Sequence, residues 1–199
     1  MVFVVGIGPG SQEYILPKAV KILETSDYVI GFSRAISSLD FIKTKKKVML
    51  NLVDILTFIN EKENYTIAIA ASGDPLFYGI TSFIKKNYRG KFTTIPGLSS
   101  FQYMVAKLNM PWQEGFLGSL HGREEDFLGN IKTNNLTIWL TDKVHTPKYI
   151  SSLLEKEGIE SKVYVGENLS YKDEKITIGS PNEIMSKGFG NLCVVIIQR

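Results

Sequence analysis

The first half of the chain alternates short β-branched runs with amphipathic stretches of helix length, and three of the runs end in a glycine-containing turn. The runs at 2–6, 28–31, 47–50, 66–71 and 92–95 predict strands, and the stretches at 16–25, 52–62, 80–87 and 99–108 predict helices. This rhythm folds as a parallel sheet, because a crossover between parallel strands needs a helix-length connection. An α/β fold is therefore expected. Asn109-Met110-Pro111-Trp112 breaks the rhythm, since proline disfavours helix at the residue before it, and the domain boundary is placed there, giving 1–111 and 112–199. Beyond it, strands are expected at 115–118, 136–140, 162–167, 175–178 and 192–198, with helices at 124–132 and 147–157. Successive strands with little helix between them predict a mixed sheet.

Composition narrows the class. With 44% apolar and 22% charged residues in 199, the chain is ordinary for a globular protein, and disorder is not expected. A net charge of +3 is too small to imply nucleic-acid binding, and the basic run Lys43, Lys45, Lys46 and Lys47 reads as solvated surface. No apolar run reaches the roughly 18 residues needed to span a membrane, and the start lacks the features of a signal peptide. A cytoplasmic location is expected. The single cysteine, Cys193, excludes an internal disulfide and reads as an inert thiol in a buried strand.

Three loops carry the chemistry. Gly6-Ile7-Gly8-Pro9-Gly10-Ser11 follows the first strand and lets a ligand lie against bare backbone. It departs from a dinucleotide fingerprint: Ser11 stands at the third glycine position and no acidic residue ends the second strand at Gly31-Phe32. No lysine follows at P-loop spacing either. Ser72-Gly73-Asp74-Pro75-Leu76-Phe77-Tyr78-Gly79 follows the fourth strand, and Pro96-Gly97-Leu98-Ser99-Ser100 the fifth. In a doubly wound sheet such loops leave the carboxyl ends of strands, where ligands collect. Three together point to one shared ligand site.

The combination of Gly6-Ile7-Gly8-Pro9-Gly10, Ser72-Gly73-Asp74-Pro75 and Pro96-Gly97-Leu98-Ser99-Ser100 resembles the tetrapyrrole methylases, two-domain α/β enzymes that bind S-adenosylmethionine in the cleft between their domains. The resemblance covers essentially the whole chain. It implies cofactor contacts at Gly8, Pro9, Gly10, Ser72, Gly73, Asp74, Phe77, Ser99 and Ser100 in the first domain, and at Leu140 and Asn168 in the second. Leu140-Thr141-Asp142 departs from the commoner strand ending of the wider family. Within the family, Ser119-Leu120-His121-Gly122-Arg123, with Pro111-Trp112 and Glu167-Asn168-Leu169, is similar to the branch that methylates C5 of cobalt-precorrin-7 on the anaerobic route to cobalamin. No C15-methyltransferase segment follows Arg199, which favours the stand-alone form of that branch. The resemblance also implies a homodimer, and contact with a separate C15-methyltransferase and decarboxylase.

Methyl transfer from a sulfonium requires in-line approach, and an electron-rich corrin carbon supplies the electrons, so the enzyme's task is positioning plus a base for the proton lost. His121, beside Ser119 and Arg123 in a glycine-containing loop, is the candidate base or substrate partner; a structural histidine is the alternative. His145 reads as an exposed residue at a helix start. Arg123 and Arg34 are candidate clamps for the carboxylates of a corrin precursor, with Ser119 as a further substrate contact; surface ion pairs are the alternative for the arginines. No metal site is expected, because two histidines and one cysteine cannot assemble a zinc cluster. A same-fold methylase acting on RNA or on diphthamide, and a non-catalytic nucleotide-binding module, remain as other readings.

Overall fold

The computed structural model describes residues 1–123 and 125–199, and the chain divides into two compact units, Met1–Ser100 and Phe101–Arg199. In the first, β1 (Val2–Gly6), β2 (Tyr28–Gly31), β3 (Lys46–Val48), β4 (Ile67–Ala71) and β5 (Phe92–Ile95) form a wholly parallel sheet of order β3-β2-β4-β1-β5. The connections contain α1 (Pro17–Thr25), α2 (Ser33–Ser37), α3 (Leu52–Glu61) and α4 (Thr81–Asn87). Helices cover both faces, so β1 and β4 are apolar without alternation. Val5 and Ala68 pack into one cluster with Ala19 and Leu23 of α1, and Val4, Ile67 and Ile69 into the other with Ile55 and Ile59 of α3. Proline at the first position starts α1, and Asn51 caps α3 by accepting the Asp54 amide at 2.9 Å.

The basic run borders the edge strand β3. Lys45 lies over the Tyr28 ring and Lys47 over Phe58, at 5.0 and 4.8 Å from the ring centres. Lys46 turns inward instead, donating to the carbonyls of Leu39 and Ile42. Charged heads at a sheet edge discourage pairing with another chain. Solvated surface therefore describes Lys43, Lys45 and Lys47, whereas Lys46 is half-buried and caps a turn.

The second unit holds β6 (Phe116–Ser119), β7 (Leu136–Leu140), β8 (Lys162–Glu167), β9 (Lys175–Gly179) and β10 (Cys193–Gln198) in the order β6-β7-β10-β8-β9. Only the β6–β7 pair is parallel, so the sheet is mixed. Because β10 runs against both β7 and β8, the strands β6, β7 and β8 all point the same way. Fully buried Trp139 centres the core, with the Phe116 and Phe127 rings 5.4 and 5.0 Å away. The helices are α5 (Ser100–Lys107), α6 (Phe127–Thr133), α7 (Pro147–Lys156) and α8 (Pro181–Met185). The helix expected from residue 124 begins at Phe127, where Asp126 caps it by accepting the Gly129 amide at 3.0 Å; Glu124 itself lies outside the described residues. The helices α2 and α8, five residues each, are too short to register as a helical period.

The units part at Ser100, ahead of the expected break at Pro111. Packing explains why α5 goes with the second sheet. Phe101 meets Trp112 edge-on at 5.2 Å, and a side chain added at Gly166 on β8 would come within 2.8 Å of Met104 Sδ.

Candidate active site

The three glycine loops leave β4, β1 and β5, which are adjacent strands, so topology delivers them to one place. Gly73 N–H donates to the Gly8 carbonyl at 2.7 Å, and Ile7 N–H to the Ala71 carbonyl at 2.9 Å, joining the first loop to the second. The third is closer still. A Cβ at Gly97 would lie 2.2 Å from the Gly73 carbonyl oxygen and 2.9 Å from the Gly6 carbonyl carbon. The loops thus meet backbone on backbone, in a cradle no side chain can enter. Gly73 is required for a different reason: its φ is +68°, while its nearest neighbour to an added Cβ is Ser99 Cα at 3.8 Å. Conformation, not space, demands glycine there.

Around this cradle, Gly8, Pro9, Gly10 and Ser99 are buried, Gly73, Asp74, Phe77 and Ser100 half-buried, and Ser72 exposed. Asp74 Oδ1 accepts the Leu76 amide at 2.8 Å, closing the turn. Tyr78, edge-on to Phe77 at 4.9 Å, has φ +51°. Sequence reasoning missed this strained residue, since a bulky side chain carries no signal for left-handed backbone. Arg34 is exposed on α2, just after β2, the other neighbour of β4.

In the second unit, Ser119, Leu140 and Asn168 stand at or just past the carboxyl ends of β6, β7 and β8, the first two in register with each other. Ser119 is fully buried, and its hydroxyl accepts the His121 amide at 3.2 Å. His121 is exposed, with Nδ1 3.1 Å from the Thr141 carbonyl oxygen. A carbonyl only accepts, so Nδ1 carries a proton, and in the neutral ring the lone pair falls on Nε2. Arg123 is exposed two residues on.

Asp142 organises both loops. Its carboxylate accepts the amides of Gly122 at 2.9 Å, His145 at 2.8 Å and Val144 at 2.9 Å, and lies 3.2 Å from His145 Nδ1. The Gly122 amide, followed by the other donors, holds this carboxyl well below the usual carboxylate range despite some burial. His145 is accordingly half-buried against Asp142 and not the exposed residue expected. Asp142 was legible only as an unusual strand ending; Val144 and His145 are its neighbours in the chain, but the Gly122 amide is brought to it only by folding.

Asn168 has φ +46°, and its Nδ2 donates to Asp173 Oδ2 at 2.7 Å. Burial, with the nearby Glu167 charge, pushes the Cys193 thiol up to about 12, as expected of an inert residue. Among the described residues no cluster of His, Cys, Asp and Glu has metal-binding geometry.

The family model of tetrapyrrole (corrin/porphyrin) methylases matches residues 1–184. The chain belongs to this family. As a tetrapyrrole methylase it is 35% identical to a probable cobalt-precorrin-7 C(5)-methyltransferase of Methanocaldococcus jannaschii, over 100% of this chain and 98% of that one. In fold it is similar to a precorrin-6Y methylase of Archaeoglobus fulgidus, with TM-score 0.81, 19% identity and coverage of 100% and 97%. It is likewise similar to a uroporphyrin-III C-methyltransferase of Thermus thermophilus solved with S-adenosylhomocysteine, with TM-score 0.82, 16% identity and the same coverage. This methylase therefore has the two-unit α/β architecture of the family.

Proposed function

We propose that this methylase transfers a methyl group from S-adenosylmethionine to C5 of a cobalt-precorrin intermediate in cobalamin biosynthesis. The observation that carries the reading is the backbone cradle at Gly97, together with the 35% identity to the Methanocaldococcus enzyme. The residues fit the donor. Bare backbone at Gly8, Pro9, Gly10 and Gly73 and the hydroxyls of Ser72, Ser99 and Ser100 suit its amino and carboxylate groups, Asp74 suits the ribose, and Phe77 offers apolar surface for adenine. Leu140 and Asn168 are the contacts assigned to the second unit. The bound donor supplies an electrophilic methyl carbon; the chain's own residues do the rest.

His121 Nε2 accepts the proton that the ring loses, and the Thr141 carbonyl keeps the lone pair on that nitrogen. Arg123 and Arg34 clamp substrate carboxylates. Ser119 acts from beneath by seating the His121 amide. No helix of the described residues is long and apolar enough to cross a membrane. We read the protein as a cytoplasmic homodimer that passes its product to a separate C15-methyltransferase.

Mass spectrometry of corrin intermediates incubated with labelled S-adenosylmethionine tests the reading, with one labelled methyl per ring expected. His121→Ala should slow transfer by about a hundred-fold at unchanged cofactor affinity. Arg123→Ala should weaken corrin binding by about ten- to a hundred-fold, and Arg123→Lys should recover only part of that. Absence of label in every corrin tested would sink the substrate assignment.

A further inference from the structure

Beyond β8 the chain reverses through a turn in which Asn168 and Ser170 both hold left-handed backbone, at φ +46° and +67°. Residues with side chains adopt this conformation at a cost and keep it only where their surroundings impose it. Two acidic residues do so here. Asp173 Oδ2 accepts Asn168 Nδ2 at 2.7 Å, and the Tyr171 amide closes back on the Asn168 carbonyl at 2.9 Å. Glu174 Oε2 accepts the Ser170 amide at 2.6 Å. Its other oxygen, Oε1, stands 3.6 Å from Lys107 Nζ, and the Tyr103 hydroxyl bonds to the same carboxylate. Tyr103 and Lys107 lie one turn apart on α5, with the ammonium 5.4 Å from the ring centre. One carboxylate, 19% exposed, therefore ties a strained turn to a helix.

A turn that served only to reverse the chain would be reached more cheaply with glycine. Strain kept in place by a charged clamp, beside a residue assigned to the ligand, is the signature of preorganisation. We propose that Glu174 is a positioning residue for the methyl donor: through the Ser170 amide it holds the Asn168–Ser170 turn in its ligand-ready form. The inference rests on the reading of Asn168 as a cofactor contact.

The test is calorimetric titration with S-adenosylhomocysteine, paired with thermal unfolding without ligand, on the full chain. Glu174→Gln should bind about ten-fold more weakly than wild type while remaining folded at the temperature of titration, the loss expected for one charge-assisted bond. In a methylation assay the change should fall on KM for the donor more than on kcat. Ser170→Gly, which makes left-handed backbone free of strain, should restore most of the affinity in the Glu174→Gln background. Tyr103→Phe keeps the turn's own bonds and removes one donor to the carboxylate, so it should weaken binding by about three-fold and serves where Glu174→Gln does not fold. Wild-type affinity in both Glu174→Gln and Tyr103→Phe would overturn the inference, as would a loss that tracks the unfolded fraction and ignores Ser170→Gly. Wild-type protein that does not bind S-adenosylhomocysteine would instead sink the donor assignment on which the inference depends.

Discussion

The two units hold their loops by different means. In the first, the loops after β1, β4 and β5 lock to one another through main chain: glycine lies on glycine, and a carbonyl oxygen occupies the space a side chain would need. In the second, the loops after β7 and β8 are gathered by carboxylates, Asp142 around three amides and Glu174 around the Ser170 amide, Lys107 and Tyr103. Backbone locking carries no charge and tolerates no added atom at Gly6 or Gly97. Carboxylate locking tolerates bulk nearby but depends on ionisation. One protein thus offers a sterically fragile half and a pH-sensitive half.

The largest expected effect is at Gly97. Its added methyl would sit 2.2 Å from the Gly73 carbonyl oxygen, with no flexible side chain to yield, so Gly97→Ala should cost about 3 kcal/mol, the upper part of the usual overpacking range. Thermal unfolding measures this, and titration with S-adenosylhomocysteine should show binding lost even in molecules that remain folded. A Gly97→Ala protein of native stability would dissolve the distinction between the halves.

Next is Asp142→Asn, which removes the charge and one acceptor from a carboxylate serving three amides, at an expected cost of about 2 kcal/mol. The pH response gives the sign. Asp142 titrates lower in the folded chain than in the unfolded one, so its contribution is fully present at neutral pH and is lost as pH falls below about 4. Denaturant midpoints measured across that range should fall for wild type and stay flatter for Asp142→Asn. Equal slopes would place the acid sensitivity elsewhere.

The smallest is Gly73→Val. No atom crowds the added Cβ, so the penalty there is that of left-handed backbone, about 1–2 kcal/mol, and the folded variant should still bind cofactor product less well because its loop is displaced. Unchanged affinity would remove the second loop from the site.

How much of this was legible beforehand follows the range of each cause. The strands of the first half, the α/β class and the three glycine loops are written locally: β-branched runs, helix-spaced apolar residues and turn residues act within a few positions of one another. The resemblance of those loops to the tetrapyrrole methylases followed from the same short stretches. The exposure expected of His145 failed because its partner, Asp142, captures it only once the loop has closed. The roles of Asp142 and Glu174 were not read, since an acidic residue in a polar segment reads as surface until its distant partners arrive, Gly122 for the first and Tyr103 and Lys107 for the second.

By itself, then, the sequence determined which segments become strands and helices, where bare backbone must be presented, and to which family the chain belongs. Only tertiary structure decided that β1 lies between β4 and β5, so that Gly6, Gly73 and Gly97 meet, and that β10 runs against β7 and β8, so that the loops carrying His121, Asp142 and Asn168 share one sheet edge. The physical reason is that turn chemistry is set by neighbours in the chain, whereas strand order and buried charge are set by which distant segments can cover one another's apolar faces.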